Sequence, residues 1–130
     1  MILLNIDVPD LAAAERFYVE AFGLRAGRRF GSDFVEILGW PVPLFLLRRE
    51  SGTIGAGGQA RNFRRHWTPV HADVVVEDLE AATARAARAG AKVEHGPQDV
   101  AFGRIASLAD PFGNGFCLIE FSARGYDALL

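Results

Sequence analysis

Four polar side chains fall in pairs two residues apart within otherwise apolar runs: Asn5 and Asp7, and His71 and Asp73. Side chains alternate across a strand, so each pair shares one face. Leu4, Ile6 and Val8 share the opposite face in the first run, and Ala72, Val74 and Val76 do so in the second. Amide, imidazole and carboxylate groups in such positions either hydrogen-bond a polar ligand or pair with one another. Cys117 is the chain's one cysteine, which excludes an intrachain disulfide. Its thiol reads as a small buried side chain, reactive only beside a cation that lowers its pKa. Glu120 lies three residues further on, an odd shift, so it is expected on the other face unless a bulge intervenes.

Aromatic residues form a second group with chemical use. Phe30, Phe34, Trp40, Phe45, Phe63, Trp67 and Phe102 lie in or near strand-like runs and loops. Flat apolar walls with a few polar anchors suit the stacking of a planar ligand, and the same rings also serve core or subunit packing. Arg61, Arg64, Arg65 and His66 form a local basic cluster, able to hold a carboxylate or phosphate or to stay solvated. Gly55, Gly57 and Gly58 lack the strand–loop–helix setting of a phosphate loop.

The elements that position these residues occur twice. Val8-Pro9-Asp10-Leu11-Ala12-Ala13-Ala14 matches Val76-Glu77-Asp78-Leu79-Glu80-Ala81-Ala82 at five of seven positions, 68 residues apart. Each copy follows a short strand-like run, Ile2–Ile6 and Val70–Val75. Asp10 and Asp78 stand where a helix begins and can accept a backbone N–H of its first turn. Leu11, Ala14, Phe17, Tyr18 and Phe22 then form one helical stripe, as do Leu79, Ala82, Ala86 and Ala89. Gly23 and Gly90 are the expected helix ends. Three strands are expected after each helix: Arg25–Phe30, Phe34–Leu38 and Pro43–Arg48, then Lys92–His95, Gly103–Ala109 and Gly115–Ser122. The order is βαβββ twice, an α+β chain with a first module over about 1–50, a connection over about 51–66, a second module over about 67–122 and a tail over 123–130.

Composition bounds the partners. Half of the 130 residues are apolar and 11% are aromatic, enough for a packed core. A net charge of −2 argues against a nucleic-acid binder, which needs a basic face. No apolar run approaches a membrane span, and the start, MILLNIDVPD, lacks the basic region of a leader, so a cytoplasmic setting is expected.

Val-x-Asp-Leu after a strand, twice, with Asp110-Pro111-Phe112-Gly113-Asn114 before the last strand, resembles the vicinal-oxygen-chelate superfamily of glyoxalases, bleomycin-resistance proteins and extradiol dioxygenases. The resemblance covers residues 1 to about 122 and implies a cup-shaped mixed sheet built from the two modules, often in a homodimer. Enzymes of that superfamily hold a divalent metal through the first and last strands of both modules. The matching positions here are Leu3, Phe45, His71 and Cys117, of which two are hydrocarbons. No cofactor is therefore expected, and the leading expectation is a metal-independent protein that binds an antibiotic or metabolite. Its ligand-binding residues are then Asn5, Asp7, Trp40, Phe45, His71, Asp73, Phe102 and Cys117. The alternative is a metal-dependent lyase, isomerase or dioxygenase whose divalent ion is held by His71 and Glu120.

Overall fold

The computed structural model describes residues 1–67 and 69–130, which divide into two compact units, Met1–Arg64 and Arg65–Leu130. The first unit runs β1 (Leu4–Val8), α1 (Leu11–Phe22), β2 (Arg25–Phe30), β3 (Phe34–Leu38) and β4 (Leu44–Arg48). The second runs β5 (Ala72–Val75), α2 (Leu79–Ala89), β6 (Lys92–Val100), β7 (Gly103–Ala109) and β8 (Gly115–Phe121), and ends in a 3₁₀ helix, Gly125–Leu129. Each unit has one four-stranded mixed sheet, ordered β1-β4-β3-β2 and β5-β8-β7-β6. In each, the first strand runs parallel to the last and the other pairings are antiparallel. The α+β fold of two tandem βαβββ modules is thus the one expected. Among the described residues no helix is long and apolar enough to cross a membrane.

The repeated Asp-Leu motif does the same work in both copies. Asp10 accepts the N–H of Ala13 at 3.0 Å, and Asp78 accepts that of Ala81 at 2.9 Å. Gly23 (φ 66°) and Gly90 (φ 117°) close the helices in the left-handed conformation that a side chain disfavours. The helices press their apolar stripes on one face of each sheet. Phe17, Val8 and Leu46 are essentially fully buried in the first unit, as are Leu79, Leu108 and Leu118 in the second. Each large side chain of this kind contributes about 1.5–3 kcal/mol.

Three strands differ from expectation by more than one residue at an end. β1 begins at Leu4, where pairing with Leu44 starts, rather than at Ile2. β5 begins at Ala72 rather than Val70. β6 runs five residues past His95, through Gly96 (φ 79°) and Pro97, with register shifts on both sides of His95. Gly-Pro reads as a terminator, but β6 is an edge strand, where a bulge accommodates a residue that cannot donate to the ladder.

The connection over about 51–66 is not free-standing. Ile54 and Ala60 form a bridge, and Arg61 Nε donates to Asp7 Oδ2 at 2.6 Å, which ties this small loop to β1. The basic cluster is divided between the units: Arg61 serves the first, while Arg65 pairs with Glu94 at 2.5 and 2.7 Å in the second.

Candidate functional site on the helix-free sheet faces

Register shows which residues share the face turned away from each helix. Asn5 lies opposite Phe45, and Phe45 opposite Glu36. Asp73 lies opposite Cys117, and Cys117 opposite Ser107. Phe45 and Cys117 are therefore equivalent positions of the two modules, as are Glu36 and Ser107.

On the first sheet this face is aromatic with one charged anchor. Phe30 and Phe34 stack with centroids 4.3 Å apart and planes 12° apart, and Phe45 lies 6.3 Å from Phe34. Arg28 sits 5.5 Å over the Phe30 ring and grips Glu36 through Nε (3.0 Å), Nη2 (2.8 Å) and its backbone N–H (3.2 Å). Gly27 leaves room for that carboxylate: a Cβ there would lie 2.7 Å from Glu36 Oε2. Glu36 is 7% exposed. The Arg28 side chain and backbone donors hold its carboxyl down at about 2, against the opposing effect of burial. A group depressed in the folded state stabilises it above the unfolded value of 4.5, and that stability is lost as pH falls toward 2. Urea midpoints of the wild type and Glu36→Gln are accordingly expected to differ at neutral pH and to converge as pH falls from 4.5 toward 2. A gap unchanged by pH would show that the pair does not stabilise the fold through ionisation.

On the second sheet the same face carries a donor cluster. His71 Nε2 lies 3.2 Å from Asp73 Oδ1. The Cys117 thiol, 5% exposed, lies 3.6 Å from Ser107 Oγ. Burial, more than the neighbouring Asp73 carboxylate, pushes the thiol pKa up, and Ser107 opposes this. The Trp67 ring rests against His71, with centroids 4.5 Å apart. It occupies the space a Cβ on Gly115 would need, and Arg65 lies 5.6 Å over it.

The expected binding residues divide accordingly. His71, Asp73 and Cys117 come together in the second unit. Asn5 and Phe45 face each other in the first. Asp7 is engaged by Arg61. Trp40 packs on Phe22 at the end of α1, 5.1 Å between centroids. Phe102 packs on Phe121 and Tyr126 of the tail segment. Glu120 accepts the N–H of Leu79 at 2.7 Å and so serves the start of α2, on the opposite side of the sheet from Cys117. The structure does not pair it with His71. Sequence reasoning missed Arg28, Glu36 and Ser107. Alternation offered a signal for one of them, because Glu36 is a lone charge in Phe-Val-Glu-Ile-Leu, in phase with Phe34.

A model of the glyoxalase-like domain family matches residues 3–119. The chain belongs to that family. This glyoxalase-like chain is 36% identical over 115 residues to the anthracycline biosynthesis protein DauV of Streptomyces sp. (strain C5), covering 85% of the chain and 38% of DauV. It is 39% identical over 122 residues to the anthracycline biosynthesis protein DnrV of Streptomyces peucetius, covering 91% of the chain and 40% of DnrV. The chain thus spans about two fifths of the length of the curated relatives it matches. Among solved structures, TnmS3, an antibiotic binding protein from Streptomyces sp. CB03234, superposes with a TM-score of 0.62 at 22% identity, covering 94% of this chain and 97% of that one. That likeness supports the fold.

The metal of the family's enzymes fits this glyoxalase-like chain poorly. Cys117 and Phe45 are register equivalents, and Leu3 stands 68 residues before His71, so the first unit offers a hydrocarbon at both of its ligand positions. Neither side chain has an electron pair to donate.

Proposed function

We propose that this chain binds a planar polycyclic small molecule, of the anthracycline class or a precursor of it, and that the binding needs no metal ion. The observation that carries this reading is Phe45. In the place where metal-bearing relatives put a donor, it joins Phe30 and Phe34 in an aromatic group beside the Arg28–Glu36 pair. A flat ring system stacks on such a group, and the charged pair offers donors and acceptors for its hydroxyl and keto oxygens. Two relatives named for anthracycline biosynthesis support the choice of ligand class. The metal-dependent lyase, isomerase or dioxygenase alternative needs donors that positions 3 and 45 do not supply.

Calorimetric titration with an anthracycline in the presence of a chelator tests the reading. Saturable binding is expected, with an affinity unchanged when the chelator is omitted. Phe30, 36% exposed, is the ring most open to a ligand. Phe30→Ala should weaken binding by about 1 kcal/mol, roughly fivefold to tenfold. Absence of binding, or binding that requires an added divalent ion, would overturn the reading, the latter in favour of the enzymatic alternative.

A further inference from the structure

A bulge on the edge strand β2 brings a cation to a face from which regular alternation would turn it away. Ala26 pairs with Ile37 and Arg29 with Val35, so two residues, Gly27 and Arg28, are left opposite one, Glu36. Counted on from Ala26 without a bulge, Arg28 and Phe30 would point toward α1. The extra residue reverses this. Arg29 turns to the helix, where it meets Glu15 at 2.6 Å, and Arg28 and Phe30 come to the helix-free face with Arg25.

The clasp on Glu36 uses one edge of the guanidinium. Nε and Nη2 each donate to one carboxylate oxygen. A guanidinium has five N–H donors, so a second edge remains, formed by Nη1 and the other N–H of Nη2. Among the described residues Nη1 has no acceptor. The Arg28 side chain is 70% exposed while that of Glu36 is buried, so the pair turns its positive end outward. Arg25, exposed on the same strand, adds a second positive charge near Glu36. Two cations thus stand against one buried carboxylate, beside the stacked rings of Phe30 and Phe34.

We infer that the first unit selects a planar ligand bearing a carboxylate, with its rings against Phe30 and its carboxylate held by the free edge of Arg28. The inference rests on the ligand reading above and narrows it to acidic members of the class, in preference to those with a neutral or basic group at the same place. A planar fork receives a carboxylate through two parallel hydrogen bonds, and the clasp on Glu36 fixes the plane of that fork before the ligand arrives.

An anthraquinone carboxylate and the corresponding anthraquinone carboxamide, its neutral isostere, are titrated into the full chain in chelator at low salt, where charge is least screened. The carboxylate is expected to bind about tenfold more tightly or better. Arg28→Gln combined with Glu36→Gln removes both charges and leaves no buried carboxylate unpaired. In that double variant the two affinities should become equal, with that of the carboxamide little changed. Arg28→Lys keeps the charge without the fork and should retain only part of the preference. Equal affinities in the wild type would overturn the inference, as would a preference undiminished in either variant; in both cases the ligand reading stands. Binding of neither compound would overturn the ligand reading and this inference with it.

Discussion

Gly103→Ala is expected to cost about 3–5 kcal/mol and to lower the melting temperature by roughly 10 °C or more. Gly103 opens β7 at φ 145°, with its Cα facing the backbone of β8. A Cβ added there would fall on the carbonyl oxygen of Glu120, 2.7 Å from Ser122 N and 2.9 Å from the Phe121 Cα. All three are main-chain atoms held by pairing, so no side chain can swing aside. Gly52 is the control. Its φ of 86° is also positive and unfavourable to a side chain, but nothing lies within 4 Å of its Cβ position. Gly52→Ala should therefore cost only the conformational strain, about 1 kcal/mol. Equal melting temperatures for the two variants would show that the close approach of β7 to β8 is not what requires glycine.

Asp110→Ala comes next, with an expected loss of about 3 kcal/mol. The Asp110 carboxylate is 5% exposed and accepts the N–H groups of Phe112 (2.8 Å) and Asn114 (2.9 Å) and the Asn114 side-chain amide (2.8 Å). Alanine leaves the buried Phe112 N–H and the part-buried Asn114 donors without this acceptor, each at about 1 kcal/mol. Asp110→Asn retains one acceptor oxygen for the two backbone donors and should lose less than half as much. Thermal melts of the two variants check this. If asparagine is as damaging as alanine, the charge rather than the acceptor geometry of the turn is what matters.

That turn, Asp-Pro-Phe-Gly-Asn, was legible in the sequence for a local reason: its donors and acceptor lie within five residues of one another. The two helices were legible on the same ground, since Asp10 and Asp78 cap groups three residues away. Alternation carried the strand faces, because parity survives as long as pairing is regular, and the likeness of Phe45-Leu46-Leu47 to Cys117-Leu118-Ile119 carried the equivalence of Phe45 and Cys117. It failed where the backbone departs from it. β6 continues for five residues past His95, the first two of them Gly96 and Pro97, where the register shifts. Trp40 lies past the end of β3, in a turn that has no parity, and packs on Phe22 instead of with the aromatic group of the sheet. The clasp of Arg28 on Glu36 depends on a bulge between Ala26 and Arg29 and on the missing side chain of Gly27. Trp67 finds its seat over Gly115, nearly fifty residues away, and only the folded second sheet brings the two together.

The seating of Trp67 also makes the second unit self-reporting. The chain has two tryptophans, and Trp40 belongs to the first unit. Trp40→Phe leaves a protein whose entire indole emission arises from a ring 4.5 Å from the His71 imidazole. The brightness of that one indole thus follows the seating of Trp67 on the second sheet, with no dye attached.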